Sequence, residues 1–566
     1  MSPMLNNTFT NWDDQLYVIN NKLLQEPDWK GIFSRPVVSN YHPLTILSLA
    51  FNYQISKLSP DSYYLFNLLL HLANTALVFY FIWNISGKKI WAAVLTALLF
   101  GIHPMHVESV AWVSERKDVL YTFFFIGALI MYWQFIQSEK KINYFLCFLL
   151  FALSLLSKPA AIVLPLVLLL LDYWKGRAFN KKILIEKIPF FLASVLFAAI
   201  TLQIQSHKSI ASLDMHPLGS RLFFACYVVM IYFTRFLFPY PLSTFHPYPS
   251  HDNLGLAVYL SPLFIAVLVF SLLYLRKNKL VVFSILFFVT NLLLVLQIIA
   301  IGNTIVSERY TYVPYIGLAF LSGMLLNESR NKKALGWVVF ILITFVYGTI
   351  TFQRTKVWKD SETLWTDVIK TYPNSPVPRT NRSNVYSIRM QDPAYKTEVA
   401  ELAQKVLDDC NIALKNDPKH VRGYEDRGII YLSKKLYKEA LEDGDLILKL
   451  DPRNKAGYSI RGTAYMFLNE PEKAIADYTM GIELYPENDF YYGNRGTILF
   501  NRFQKYTEAR TDFDKAISLK PDGNYYLNRS NCNFMLGDTV KAKNDLQSAL
   551  QMGLQVPEAF KKRLNM

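Results

Sequence analysis

Through the first 350 or so residues the apolar positions do not alternate or follow one helical face. They come in near-continuous runs, at about the 17–25 residues that cross a hydrocarbon core. Ten runs predict transmembrane helices near 63–86, 90–104, 119–137, 142–157, 160–174, 187–205, 254–275, 280–301, 310–327 and 334–352. An eleventh, 220–238, carries Arg221 and Arg235 and leads into the proline-rich stretch 238–249. Beyond residue 353 the pattern becomes polar and globular.

The polar part repeats. Arg427-Gly428, Arg461-Gly462, Arg495-Gly496 and Arg529-Ser530 stand 34 residues apart. Asp417-Pro418, Asp451-Pro452 and Tyr485-Pro486 keep the same step, Lys520-Pro521 comes one residue late, and Ala440, Ala474, Ala509 and Ala542 recur between them. A helix-turn-helix unit of this period, with a small residue in its first helix, an alanine in its second and a closing proline, is the tetratricopeptide signature. A further irregular repeat near 381–384 brings the expectation to four or five. The predicted fold is all-α: a polytopic membrane block over 1–353, a linker and first helix over 354–378, and a repeat solenoid over 379–566. Such a solenoid offers a concave groove for a protein or peptide and no chemistry of its own.

Composition sharpens this division. With 52% hydrophobic and 18% charged residues, a purely soluble chain is excluded. Residues 1–353 hold 26 Lys and Arg against 15 Asp and Glu, and the remainder holds 33 against 29. The basic residues of the first part gather in the loops at 88–89, 140–141, 175–182, 276–279 and 330–333. Short basic loops stay cytoplasmic. All five share one side if 220–238 is re-entrant or surface-lying, which places the N-terminal segment and the repeats outside. This accounts for the positive charge, so no nucleic-acid partner is expected. Four scattered cysteines indicate neither a disulfide framework nor a zinc site. No apolar leader precedes residue 40, and the expectation is a true start further upstream with one more span.

Ionisable residues in outer loops or at membrane depth mark candidate chemistry. Asp13 and Asp14, in Asn11-Trp12-Asp13-Asp14, suit a general base for a hydroxyl or a metal site. A turn or helix cap is the plainer alternative. A polar loop ending at His42 follows. His103, His106 and Glu108 leave a divalent metal open without a specific ligand spacing. Arg116 and Lys117 suit a lipid-linked phosphate, or an interfacial pairing with Glu115 and Asp118. Glu308 and Arg309 repeat the pairing of acid with arginine, as phosphate clamp or internal ion pair. Arg235 is costly to bury unless it faces a polar cavity. Asp172 and His71 read as core hydrogen-bonding groups.

The run from His103 to Leu120 with Trp112-Val113-Ser114-Glu115-Arg116-Lys117-Asp118 at its centre, preceded by Asn11-Trp12-Asp13-Asp14 and Tyr41-His42-Pro43 and followed by Glu308-Arg309-Tyr310-Thr311-Tyr312-Val313-Pro314, resembles the bacterial relatives of the transmembrane and tetratricopeptide-repeat protein O-mannosyltransferases. The resemblance implies a C-type glycosyltransferase fold in the bacterial inner membrane with periplasmic repeats. It implies a polyprenyl-phosphate sugar donor, mannose favoured, and transfer to Ser or Thr of a protein held by the repeats. On it Asp13 and Asp14 are the catalytic positions, one carboxylate acting as the base. Arg116, Lys117, Arg309 and Arg235 bind the donor phosphate, with His42, His103, His106, Glu108 and Glu308 in support. No cofactor beyond an open divalent metal is implied. Two rivals stand beside it, a non-enzymatic membrane-anchored repeat scaffold and a lipid-linked glycan ligase or polymerase.

Overall fold

The computed structural model describes residues 1–26, 28–205, 217–249, 254–298, 302, 304–328, 333–556 and 558–564. They fold as helices, apart from a two-stranded ladder pairing His246–Pro247 with Thr304–Val306. Two compact units are present, Met1–Pro373 and Asn374–Met566. Of the segment 354–378, expected as linker and first helix, residues 354–373 belong to the first unit.

Numbering only helices of eleven residues or more, the first unit has α1 (Pro43–Ser56), α2 (Pro60–Ile85), α3 (Ile90–Ile102), α4 (Arg116–Ser138) and α5 (Lys141–Ser157). It continues with α6 (Leu164–Lys175), α7 (Lys181–Gln205), α8 (Leu218–Leu237) and α9 (Leu256–Tyr274). α10 (Lys279–Leu292), α11 (Tyr315–Glu328), α12 (Lys333–Val357) and α13 (Ser361–Thr371) complete it. Six helices among the described residues are long and apolar enough to cross a membrane: α2, Val113–Ser138, α7, α8, α9 and Gly336–Val357. α3 with Pro104–Ala111 makes a seventh, bent by 55°. The bend falls where His103 caps the Met105 amide at 3.2 Å and Pro104 cannot continue the ladder.

The expected spans at 160–174 and 310–327 are shorter than anticipated. α6 has 12 residues and α11 has 14, about 18 and 21 Å at 1.5 Å per residue. Pro159 opens a 3-10 turn before α6, and residues 308–311 form another before α11. Both helices bury their sides inside the bundle, so neither must meet lipid along a full span.

Contacts gather the basic loops at 88–89, 140–141 and 175–182 at one end, with Gly176 beside the Lys279 ammonium, while 330–332 of the expected basic loop at 330–333 lie outside the described residues. Lys89 pairs with Glu328 at 2.8 Å, the Trp174 indole donates to the Ile85 carbonyl at 2.8 Å, and Lys182 meets Glu139 at 3.7 Å. A closed ionic network lies at the same end. Asp172 pairs with Arg177 and Lys187, each at 2.7 Å, and accepts from the Tyr132 hydroxyl at 2.8 Å. Arg177 also grips both oxygens of Glu186 at 2.9 Å. Asp172 is therefore the core partner its sequence context suggested.

The run 220–238 forms one unbroken helix, α8. One face of it, Phe224, Val228, Tyr232 and Phe236, packs in the core with Leu292, Ile305, Tyr315 and Tyr347. It crosses α9 steeply. The Phe223 carbonyl accepts from Ser261, and Phe233 stacks near Phe264, so ten residues of α8 match three of α9.

The second unit comprises five helix pairs: α14 (Pro376–Arg389) with α15 (Val399–Asn416), α16 (Val421–Ser433) with α17 (Tyr437–Leu450), α18 (Lys455–Phe467) with α19 (Pro471–Leu484), α20 (Asp489–Asn501) with α21 (Tyr506–Leu519), and α22 (Gly523–Met535) with α23 (Thr539–Gln551). The repeated arginine explains the motif. Arg461 grips Asp477 in its own repeat with two bonds of 2.7 and 2.9 Å and reaches Asp445 in the preceding repeat at 2.9 Å. Arg427 does the same with Asp443 and Asn411, Arg495 with Asp512 and Thr479, and Arg529 with Asp545 and Asp514. The next residue must be small: a Cβ at Gly462 would come within 2.8 Å of the Tyr478 ring.

Removing one staple leaves a buried aspartate unpaired. Arg461→Ala should cost the repeats about 2 kcal/mol and lower hydrogen-exchange protection in α17–α19. Unaltered protection there would show that the ladder does not hold the stack.

Candidate active site

The end of the first unit opposite the basic loops is built around residues 1–42. Trp12 stacks on Trp112 at 4.5 Å and meets Trp365 at 5.0 Å, while the Trp365 indole donates to Asn11 at 2.7 Å. The Tyr64 hydroxyl donates to the Thr8 carbonyl at 2.8 Å. The N-terminal segment is thereby tied to α2, to the turn before α4 and to α13.

The adjacent aspartates diverge. Asp14 is fully buried: one carboxylate oxygen accepts from the Thr10 amide and hydroxyl, each at 2.9 Å, and the other accepts from the Ser114 amide at 2.9 Å and the Ser114 hydroxyl. Burial pushes its carboxyl above the ordinary range, opposed by these bonds. With four donors satisfied it is a staple between residue 10 and residue 114. Asp13 lies one residue before the Asp14 cap of the π-helical turn Gln15–Ile19 and keeps partial exposure. Burial raises its carboxyl as well, countered by Lys117 and Arg309 and reinforced by Glu115. A raised, partly exposed carboxylate among cations has the attributes of a general base.

The groups around Asp13 come from four segments. Glu115, 1% exposed, meets Lys117 at 3.1 Å, Arg309 Nε at 3.3 Å and Lys158 at 3.8 Å. Lys158 also pairs with Asp118, and Arg309 with Glu108. The Arg309 amide donates to the other Glu108 oxygen at 3.2 Å. The Lys117 ammonium lies 4.8 Å from the centre of the Tyr17 ring, which stacks on His42 at 5.3 Å. Burial and the Lys117 charge lower His42 to about 3, so its imidazole is neutral, and its buried Nε2 has no hydrogen-bond partner. Three cations with a neutral imidazole beside a carboxylate can receive an anionic leaving group.

Asp13, Lys117, Arg309, His42 and Glu108 are thus brought together. Arg116 is not among them. It points from the other side of α4, where Nε binds Asn67, Nη2 donates to the Tyr63 carbonyl at 3.0 Å, and the guanidinium covers Phe66 at 4.3 Å. Arg235 bonds His246 at 3.1 Å, and His246 bonds the Tyr372 hydroxyl at 2.5 Å. Glu308 accepts from the Ser243 amide at 2.6 Å and pairs with Arg354 at 3.6 Å. This is a second polar group, which binds the 243–246 loop to α12. His103 and His106 serve the carbonyls of Phe236 (3.2 Å) and Phe100 (2.8 Å). Among the described residues, no three His, Cys, Asp or Glu side chains are grouped to hold a metal.

Lys158 was missed by sequence reasoning, and Arg354 with it. A signal for Lys158 existed: it is a lone lysine between two apolar runs, at the end opposite the basic loops.

No protein-family model matches the chain. Over 379 residues it is 23% identical to human protein O-mannosyl-transferase TMTC3, covering 59% of this chain and 41% of that protein. Over 130 residues it is 35% identical to mouse protein O-mannosyl-transferase TMTC2, covering 21% and 15% respectively. Caenorhabditis elegans protein O-mannosyl-transferase F38B6.6 is 28% identical over 187 residues, 30% of this chain and 25% of that one. The matched region spans less than half the length of these curated relatives. Among solved structures, YrrB, described as a TPR protein with an unusual peptide-binding site, is 22% identical, covers 33% of this chain and 91% of its own, and has a TM-score of 0.27. MamA is 22% identical, with 29% and 95% covered and a TM-score of 0.26.

The divergence of the two aspartates sets an expectation. Asp14→Asn turns an amide toward two donors and should destabilise the first unit by roughly 3 kcal/mol, whereas Asp13→Asn should melt close to wild type. Equal losses in thermal unfolding would refute the division. Glu308, raised to about 7 by burial, makes the second expectation. Because its folded pKa lies above its unfolded one, the stability it contributes is whole below about 4.5 and is lost as pH rises through about 7. Glu308→Gln should flatten that part of the stability profile, and a profile unchanged by the substitution would contradict it.

Proposed function

We propose that this chain, a distant relative of the transmembrane and tetratricopeptide-repeat protein O-mannosyltransferases, is a membrane glycosyltransferase that moves mannose from a polyprenyl-phosphate donor to Ser or Thr of extracytoplasmic proteins. The observation that carries the reading is the partly exposed Asp13 carboxylate standing in the field of Lys117 and Arg309, with Lys158 joined to the same cluster through Glu115. On it, Asp13 takes the proton of the acceptor hydroxyl as that oxygen bonds to the anomeric carbon. The bond from that carbon to the phosphate oxygen breaks and its electron pair leaves with the polyprenyl phosphate. Negative charge grows on that phosphate in the transition state, where the cations stabilise it most.

Sidedness follows the positive-inside rule. The basic loops at 88–89, 140–141, 175–182 and 276–279 share one end of the bundle and the Asp13 cluster the other, which supports a cytoplasmic end and an extracytoplasmic site. The proposed location is a bacterial inner membrane, and the repeats raise the local concentration of acceptor polypeptide. A mere anchor for a scaffold needs one span and no buried ionic cluster beside a carboxylate.

Membranes carrying wild type, Asp13→Asn or Lys158→Gln, given radiolabelled polyprenyl-phosphate mannose and acceptor protein, test this. Asp13→Asn should lower transfer by about 10²–10⁴-fold at equal protein level, and Lys158→Gln by a smaller factor. Undiminished transfer in Asp13→Asn would remove the assigned base, and no transfer by wild type with any lipid-linked sugar would remove the enzyme.

A further inference from the structure

Beside the ionic cluster, the short helix Trp29–Ser34, α1 and the start of α4 enclose an open groove of about 420 Å³. Its α1 wall is Leu44, Leu47 and Phe51, and its α4 wall is Leu120 and Phe124. Each set repeats at three or four residues, so each is one helix face. The α4 face begins with Lys117, one turn before Leu120. The α1 face begins just after His42, whose buried Nε2 is unpartnered. The mouth of the groove is therefore cationic and polar, while its body is hydrocarbon. At the far side Trp29 and Phe51 are 61% and 59% exposed, on a chain whose apolar helices suit a membrane.

We propose that this groove holds the first isoprene units of the polyprenyl-phosphate donor, with the phosphate at Lys117 and Lys158. The inference rests on the donor class proposed above and adds the path of its chain. The donor phosphate is a diester, so its two carbon substituents leave from different oxygens. With the sugar toward Asp13, the chain must leave the cations by another route, and the stripe continuing from Lys117 into Leu120 and Phe124 is an apolar surface that starts there. One chain fits between two facing stripes, whereas a diacyl phospholipid would leave its second chain outside.

The test uses the whole protein in phosphatidylethanolamine and phosphatidylglycerol vesicles with a polyprenyl phosphate bearing a photoreactive diazirine in its second isoprene. Mass spectrometry should find label in 44–54 and 117–124, suppressed by excess unlabelled polyprenyl phosphate and not by added phospholipid. Leu47→Trp and Leu120→Trp, which narrow the groove, should each raise the ratio of KM for a long-chain donor to KM for a two-isoprene donor by about tenfold. Label confined to other helices, or equally displaced by phospholipid, overturns the groove. If wild type still transfers mannose in that case, the groove alone is wrong. If wild type neither transfers nor takes label, the donor class and the groove fall together.

Discussion

A carboxylate removed from water must be matched by cations, and Glu115 is the carboxylate on which this end of the molecule is assembled. Its three cationic neighbours come from places far apart in the chain: Lys117 two residues on, Lys158 after α5, and Arg309 in the turn before α11. Neither of the two distant segments is itself part of a regular helix. The turn at 308–311 is a single 3-10 turn, and Lys158 is in extended backbone between a helix and a proline. Ion pairing therefore fixes the loops, and the loops set the field in which Asp13 sits. Losing one partner would leave charge uncompensated at low dielectric, which costs more than the lost pair alone.

That dependence explains why two neighbouring aspartates have different work. Asp14 spends its acceptor capacity on the backbone and hydroxyl groups of Thr10 and Ser114, which ties the N-terminal segment to the strand of chain that leads into Glu115. Asp13 is displaced toward the cations and retains an exposed edge. The staple orients its neighbour, and the neighbour meets the cluster.

The same physics marks what could be read beforehand. The 34-residue step was legible because its arginine performs one job in every repeat, gripping the aspartate of its own repeat and reaching back to the preceding one. Membrane character was legible from unbroken apolar runs, though helix lengths were not: α6 and α11 are cut short by prolines and site turns, and their burial within the bundle leaves no trace in hydropathy. Composition could gather the candidate site but could not sort it. Arg116 and Lys117 are neighbours of one charge, and the helical turn between them sends one to Asn67 and the other to Glu115. The histidines looked like ligands as residue types, yet His103 bonds the Phe236 carbonyl at the end of α8 and His106 the Phe100 carbonyl just before the bend after α3.

Buried charge by itself does not separate a working site from a structural one, because the chain has buried ions at both ends. Satisfaction does. In the network of Asp172, Arg177, Glu186 and Lys187 every group has a charged partner within 2.9 Å, and Lys187 has no exposure at all. Around Glu115 the contacts are longer, neither of its oxygens accepts a well-aligned hydrogen bond, and His42 Nε2 has no partner. A closed network has nothing left to offer an incoming molecule. One with unspent donors beside a raised carboxylate is arranged for a group that arrives from outside, and its unspent groups, cationic on the donor side and basic on the acceptor side, match the two charges that sugar transfer from a phosphate must manage.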